Sequence, residues 1–139
     1  MAADAPTVLY DGDCGLCKAL LALLLRWDRG GRLRPVPIQS EIGERLLAEV
    51  PREERLRSWH LVTSDGAVHS GGAGIPAALA VLPAGRALAR LTSLLPGPTS
   101  RAYEWVADHR SLLGRPLGPG ARRWADRVIA ERSGDAREI

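Results

Sequence analysis

Two cysteines at a spacing of three residues are the feature of this chain that most clearly indicates chemistry. Cys14 and Cys17 form a C-x-x-C pair and are the only 2 cysteines among the 139 residues. On a helix, residues three apart lie about 5–6 Å from each other, which matches the Cα separation that a disulfide requires. A C-x-x-C pair at the junction of a first strand and a first helix is typical of a redox motif. The pair therefore predicts thiol–disulfide chemistry.

The two thiols have different expected roles because their positions on the helix differ. Cys14 lies where we expect the helix to begin, and Cys17 lies one turn further in. Free N–H groups and the helix dipole stabilise an anion at a helix N-terminus, so the thiolate of Cys14 is favoured. We expect Cys14 to attack a substrate disulfide and Cys17 to resolve the mixed disulfide that forms.

Two carboxylates stand directly before the cysteines, at Asp11 and Asp13. A carboxylate beside a thiolate opposes its negative charge, and one of the two could accept the proton of Cys17 during resolution. Alternatively, both simply cap the turn and the start of the helix, where Asp is common. This structural role is favoured for Asp13. Both roles stay open for Asp11, which is a candidate catalytic residue together with the cysteines.

A soft-metal site is the first alternative to a redox pair. Zinc takes four ligands in a structural site and usually three protein ligands in a catalytic one. Only His60, His69 and His109 could join the cysteines, and none has a partner at short ligand spacing, although His60 and His69 could face each other across a predicted hairpin. A second alternative is a non-catalytic, redox-responsive interaction module. We favour the redox enzyme and predict neither a metal nor a bound cofactor.

The cysteines must be positioned by the elements on either side of them. Thr7 to Tyr10 reads as a short buried strand, and residues 15–28 carry leucines at helical spacing. Gly30 and Gly31 end this helix, and alternating apolar residues over 32–38 predict a second strand. Two strands joined by one helix form a βαβ unit, so the strands should be parallel with a right-handed crossover.

The rest of the chain predicts two helical segments, a hairpin and a series of further helices. Ser40 is a predicted N-cap for a helix through Val50, and a shorter helical piece follows Pro51. Strands over 59–63 and 67–69 flank a Ser-Asp-Gly turn, which predicts a hairpin. Further helices are predicted over 76–82, 85–95, 99–113 and 119–132.

This order, β-α-β-α-β-β-α, predicts an α/β fold with a thioredoxin-like core and a central mixed four-stranded sheet. We expect a single domain over residues 1–139. In it, residues 7–82 form the core, and the additional C-terminal helices over 85–132 form an extension. The chain length is sufficient for one domain with its own core.

Composition restricts the classes of partner. The hydrophobic fraction of 45% is ordinary for a soluble protein, and the net charge of +3 comes from arginines spread along the chain, which does not favour nucleic-acid binding. The longest apolar run, Ala19 to Leu25, is too short to cross a bilayer, and the first ten residues lack the features of a secretory signal. We therefore expect a cytoplasmic protein without stable membrane insertion.

A glycine-rich segment and a few arginines are weaker candidates for ligand binding. The segment Gly71 to Gly74 leads into a helix N-terminus, where an anion can bind, but a strand-to-helix turn is the favoured interpretation. Arg34, Arg57 and Arg86 could supply charge for a peptide carboxylate, and nothing in the sequence distinguishes one of them.

The segment from Asp11 to Cys17, together with the apolar strand before it, resembles the D-G-x-C-x-x-C signature of the DCC thiol-disulfide oxidoreductases. The likeness continues in the helix end at Trp27, in the segment Val36-Pro37-Ile38-Gln39-Ser40, and in a late helix with Tyr103 and Arg110. In all, it covers roughly Val8 to Arg115.

The resemblance implies a thioredoxin-like fold and a disulfide oxidoreductase activity, with Cys14 and Cys17 as the redox pair and Asp11 as the signature acid. The resemblance does not name a partner; from the redox pair we expect a protein or small-molecule disulfide or dithiol, and glutathione is one candidate. Ordinary thioredoxins carry a cis-proline just before the third strand. Here Ser58 and Trp59 occupy that place, so substrate docking must differ.

Overall fold

The computed structural model describes residues 6–137, and the side chains of residues 6–133. Its four strands are β1 (Thr7–Tyr10), β2 (Arg34–Pro37), β3 (His60–Val62) and β4 (Val68–Ser70). Its helices are α1 (Gly15–Trp27), α2 (Glu41–Leu46), α3 (Arg52–Arg55), α4 (Ile75–Ala80), α5 (Arg86–Leu94), α6 (Pro96–Asp108), α7 (Arg110–Leu113) and α8 (Pro119–Arg137). A 3₁₀ turn over Gly71–Gly74 joins β4 to α4.

The four strands form one mixed sheet in the order β2-β1-β3-β4. β1 and β2 are parallel and are joined through α1, whereas β3 pairs antiparallel with both β1 and β4. This arrangement confirms the predicted α/β fold and is consistent with a thioredoxin-like core. The predicted hairpin is present, with Gly66 in its turn at φ +89°.

The two faces of the sheet carry separate apolar clusters because successive strand residues point to opposite sides. Val8, Tyr10 and Leu61 belong to the larger cluster, which includes buried residues of α1, α4 and α8. Leu9 and Leu47 belong to a smaller cluster on the other face, at the end of α2. The cysteine-bearing helix therefore lies on the side of the larger cluster.

α1 begins and ends at positions that local hydrogen bonds define. Cys14 is its N-cap, and the buried residues Leu21 and Leu25 lie one turn apart on its inner face. Just beyond its end, the carboxylate of Asp28 accepts hydrogen bonds from the N–H groups of Arg32 and Leu33. Because the N–H groups of the first two residues of the predicted second strand are bonded to Asp28, β2 is shorter than the expected range of 32–38.

The helix expected over 99–113 is divided into α6 and α7 by a break at His109. The His109 ring stacks on Trp105 with ring centroids 4.4 Å apart, and its Nδ1 lies 2.7 Å from the Trp105 carbonyl. A side chain that bonds to the preceding turn competes with regular helical pairing. A new helix begins at Arg110, a residue that contacts the cysteine site.

α8 packs along α1 and contributes Ala125, Val128 and Ile129 to the larger apolar cluster. Lys18 of α1 also forms an ion pair with Asp126 of α8, with Nζ and Oδ1 2.9 Å apart. Within residues 6–137, no helix combines the length and apolar character that crossing a membrane requires.

Candidate functional site

Cys14 and Cys17 lie together at the start of α1, as the spacing predicts. Cys14 has an extended backbone, φ −97° and ψ 114°, and its Sγ accepts a hydrogen bond from the Cys17 N–H at 3.3 Å. Both cysteines are free thiols and partly exposed. The Cys14 sulfur therefore lies at the N-terminus of α1, beside an N–H group that points at it.

Cys17 lies deeper, and its surroundings keep it protonated. Burial raises the pKa of the Cys17 thiol to about 12, and the hydrogen bond and charge of Cys14 act in the same direction. The guanidinium of Arg110 opposes these effects and lowers that pKa. At neutral pH Cys17 therefore carries its proton, and a base must remove the proton before Cys17 can attack.

The acidic turn before α1 is held by the side chain of Gln39. Oδ1 of Asp11 accepts hydrogen bonds from the Asp13 N–H at 2.9 Å and from Gln39 Nε2 at 2.8 Å, and Gln39 Oε1 accepts one from the Gly12 N–H at 3.1 Å. Asp13 is exposed and Cys14 is the N-cap, so Asp13 does not cap α1. Asp11 is thus the fixed carboxylate of the turn.

Arg110 is a site residue that the C-x-x-C motif does not predict. Its guanidinium Nη1 lies 3.8 Å from Asp11 Oδ2, and the guanidinium also faces Cys17. Its side chain is one-third exposed, at 34%. The family resemblance includes a helix with Arg110, but the helix break that precedes Arg110 has no separate sequence signal.

The segment before β3 also borders the site, through Arg57, Ser58 and Trp59. The Trp59 N–H donates to the hydroxyl oxygen of Tyr103 at 2.9 Å, and Trp59 Nε1 donates to the Gly71 carbonyl at 2.8 Å. Burial raises the pKa of Tyr103 to about 12, so its hydroxyl stays neutral. The backbone amide of Trp59 is therefore already bonded inside the protein.

The glycine segment before α4 is a packed turn. A Cβ on Gly72 would lie 2.6 Å from the Cα of Ser100 on α6. Gly71, Gly72 and Gly74 are buried. Such close approach requires glycine, and it supports the interpretation of Gly71–Gly74 as a strand-to-helix turn.

An apolar cavity of about 270 Å³ opens beside Cys17. Its walls come from α1, α4 and α6, and β1 and the segment before β3 complete it. The charged residues of its lining are Asp11, Arg57 and Arg110. The cysteine pair thus adjoins a space that can receive part of another molecule.

The histidines considered as metal ligands lie apart from one another. His60 pairs with Ser70 and His69 with Leu61, so His60 and His69 are on opposite faces of the hairpin. The His60 ring bonds to the Ser70 hydroxyl at 2.7 Å and to the Arg55 carbonyl at 2.8 Å. Among the residues that the structure describes, no group of three or more His, Cys, Asp or Glu side chains could hold a metal ion.

Comparison with known protein families supports the chemistry that the geometry indicates. The family model described as DCC1-like thiol-disulfide oxidoreductase matches residues 8–116. This range begins in β1, contains both cysteines, and ends after α7, so it includes Asp11, Gln39 and Arg110. Comparisons with curated proteins and with solved structures give no match.

Proposed function

Because the chain belongs to the DCC1-like thiol-disulfide oxidoreductase family, we propose that it exchanges disulfides through Cys14 as nucleophile and Cys17 as resolving thiol. The observation that carries this division is the asymmetry of the pair. Cys14 Sγ receives a backbone N–H at the helix start, whereas burial raises the pKa of Cys17 to about 12. Attack needs a thiolate, so Cys14 is the thiol suited to begin the reaction.

The reaction proceeds in two exchanges. The Cys14 thiolate bonds to one sulfur of the substrate as the substrate S–S bond breaks, and the other sulfur leaves with the electron pair and takes a proton. Cys17 then loses its proton and attacks Cys14 Sγ, which forms the Cys14–Cys17 disulfide and releases the second thiol. The substrate gains two electrons and two protons, and the protein loses them.

Asp11 is our candidate for the acceptor of the Cys17 proton. It lines the same cavity as Cys17, and its Oδ1 is held by the Asp13 N–H and Gln39. An Asp11→Asn variant keeps an oxygen for those donors and removes the base. We expect resolution to slow by about 10²-fold at pH 7 and to recover at high pH, where hydroxide replaces the carboxylate. An unchanged rate would leave Asp11 with a structural role only.

Regeneration of the reduced protein requires a dithiol or glutathione, and no bound cofactor takes part in the proposal. We also propose a cytoplasmic location. Two cysteines at C-x-x-C spacing are expected to be catalytic in a reducing compartment. Cell fractionation with the cysteines alkylated at lysis tests both points, because it reports the location and the thiol state together.

Trapping of the mixed disulfide tests the proposed function. We expect Cys17→Ser to accumulate a covalent adduct between Cys14 and a substrate thiol, because the resolving sulfur is absent. Cys14→Ser should form no adduct and show no exchange, because the thiol that remains is the deeper one, whose pKa is raised. Intact mass before and after dithiothreitol detects the adduct. Equal adduct formation by the two variants contradicts the assigned order.

The reduction potential of the pair tests whether it works as a redox couple. Equilibration in graded thiol/disulfide buffers, followed by alkylation, counts the free thiols. We expect a reversible two-electron transition between about −270 and −120 mV, the range of thioredoxin-like catalysts, and its position assigns the pair as reductant or oxidant. Two thiols that resist alkylation until a chelator is added would instead establish metal binding.

A further inference from the structure

The cavity beside Cys17 is built as a continuous apolar surface. Leu16, Leu20 and Leu24 follow one another at four-residue spacing along α1, so they form a single wall. Ile75 and Leu79 on α4 lie at the same spacing on another wall. A protein interior normally leaves few spaces of this size unfilled. An open apolar space next to a reactive pair is therefore suited to hold part of a substrate.

The size of the cavity limits what it can hold. Pockets for drug-sized ligands measure about 300–1,000 Å³. At about 270 Å³ this cavity falls just below that range. It can accept one side group of a substrate, such as a short alkyl chain or an aromatic ring. The rest of the substrate must stay outside.

The position of the cavity relates this side group to the reacting sulfur. Cys17 forms part of the wall, and its N–H lies 3.3 Å from Cys14 Sγ. A group on the sulfur that bonds to Cys14 therefore starts next to the cavity. Asp11 and Arg110 pair with each other at this end, and Arg57 adds an exposed positive charge to the lining.

We propose that the preferred substrate is a disulfide whose attacked sulfur carries an apolar group, which the cavity holds during exchange. The substituent on that sulfur is neutral or anionic rather than cationic. This inference rests on the proposed function and names its substrate class. In the first step, the sulfur with the apolar group becomes bonded to Cys14 and the other thiolate leaves. Cys17 then releases the apolar thiol, and dithiothreitol supplies electrons for the next turnover.

A series of mixed disulfides of thionitrobenzoate with methanethiol, butanethiol and hexanethiol tests the proposal. Thionitrobenzoate is the better leaving group, so Cys14 attacks the alkyl sulfur and the release is followed by absorbance. The rate at which the protein reacts with each probe is divided by the rate at which 2-mercaptoethanol reacts with the same probe. This quotient is the corrected rate. We expect the corrected rate to rise by up to about fourfold per methylene until the cavity is full.

Two matched pairs of variants assign the effect to the cavity. Leu20 and Leu23 are both exposed on α1, at 48% and 58%, but only Leu20 is part of the lining. Leu20→Ser should lower the hexyl-to-methyl rate ratio at least about fivefold, and Leu23→Ser should leave it unchanged. On α6, Ala107→Phe fills the cavity, whereas Ala102→Phe places the same ring on the exposed surface.

Charged probes test the contribution of Arg57. The mixed disulfides of thionitrobenzoate with 3-mercaptopropionate and with cysteamine differ mainly in the sign of their charge. We expect the anionic probe to react faster after the same correction, and Arg57→Gln to remove this preference. Arg52→Gln is the matched control, because Arg52 is exposed on α3 and is not part of the lining.

The outcomes separate the cavity from the chemistry. Equal corrected rates for all alkyl lengths, with the methyl probe still reacting, overturn the substrate class and leave disulfide exchange intact. Failure to release thionitrobenzoate from any probe overturns the proposed function itself. Cystine peptides with Leu or Ser beside the half-cystine show whether the apolar group belongs to a protein disulfide or to a small molecule. A gain with Leu indicates protein disulfides, and a gain with the alkyl probes alone indicates small molecules; either supports the cavity.

Discussion

Cys14 and Cys17 occupy different electrostatic surroundings although only two residues separate them. The sulfur of Cys14 receives an N–H at the start of α1, and Cys17 is one turn deeper, beside the cavity. Burial dominates at Cys17 and raises its pKa to about 12, whereas the charge of Arg110 acts against it. Arg110 is in turn paired with Asp11. The pKa of the Cys17 thiol therefore depends on a residue nearly a hundred positions away in the chain.

Removal of Arg110 should slow the resolving step. In Arg110→Gln the pKa of Cys17 should rise further, because burial remains and the opposing charge is lost. We expect release of the second thiol at pH 7 to slow by up to about tenfold, which corresponds to one pKa unit. Stopped-flow measurement of that release checks it. Arg110→Lys should recover part of the rate, and the exposed Arg115→Gln should have no effect; an unaltered rate in Arg110→Gln contradicts the role.

His60 should make stability depend on pH. It is 1% exposed, and burial lowers its pKa. Its Nε2 must donate to the Arg55 carbonyl, and its Nδ1 accepts from Ser70, so the neutral ring satisfies both partners. The unfolded chain binds a proton below about pH 6.5, whereas the folded protein does so only at lower pH. Stability is therefore complete above pH 6.5 and decreases as the pH falls below it.

Urea unfolding at several pH values measures this dependence. Between pH 6.5 and the lower folded-state pKa, we expect a loss of up to about 1.4 kcal/mol per pH unit from His60. His60→Gln should reduce the slope of unfolding free energy against pH, whatever its effect on stability at pH 7.5. His69→Gln removes a histidine from the neighbouring strand and should leave the His60 contribution in place. The same slope in both variants would refute the assignment.

At the scale of elements, α8 is attached to α1 by two ion pairs of different burial. Asp28 is 0% exposed and bonds to Arg132, with Oδ2 and Nη1 2.9 Å apart. Arg132 also donates to the carbonyl oxygen of Leu25 at 2.8 Å. The other pair, Lys18 and Asp126, is largely at the surface. The buried pair joins the end of α1 to the end of the C-terminal helix.

Loss of the buried ion pair should lower the free energy of unfolding much more than loss of the surface ion pair. Arg132→Met leaves the Asp28 carboxylate buried with only its two backbone donors, so we expect the unfolding free energy to fall by about 3 kcal/mol. Asp126→Asn removes an exposed pair and should cost less than about 1 kcal/mol. Chemical denaturation of both variants gives the comparison. Similar losses would show that Asp28–Arg132 is no more important than a surface contact.

Over the whole molecule, one apolar cluster joins the sheet, the cysteine helix and the last helix. Val8 of β1 and Leu21 of α1 share it with Ala125 and Ile129 of α8. The C-terminal helix α8 therefore covers the same core that supports the cysteine helix α1. On this basis we propose that the chain unfolds as one cooperative unit.

Truncation tests this proposal. A chain that ends at Leu117 lacks α8 and exposes the apolar faces of α1 and β1, so we expect it to lose a cooperative thermal transition. A chain that ends at Ser133 keeps Ala125, Val128, Ile129 and Arg132 and should melt in a single transition. Circular dichroism and calorimetry provide the measurement. A cooperative transition of the shorter chain near that of the full chain would show that the core is independent of α8.

The parts of the fold that the sequence predicted are those that depend on neighbouring residues. The helical spacing of the leucines placed α1, the Ser40 hydroxyl caps α2 by accepting the Gly43 N–H at 3.0 Å, and the C-x-x-C spacing brought Cys14 and Cys17 together. Local patterns were less informative about where the helices end. The break at His109 arises from a ring that bonds to the preceding turn, and nothing in helical periodicity indicates it.

The sequence by itself determined the cysteine pair, its place at a helix start and the order of the elements, because each depends on contacts within a few residues. Tertiary structure decided which distant groups meet. It brought Arg110 to Cys17, opened the cavity between α1, α4 and α6, and paired Asp28 with Arg132. It also set the hairpin register that separates His60 from His69, since a shift of one residue reverses the face of every side chain. These features depend on packing between elements, which sequence spacing does not encode.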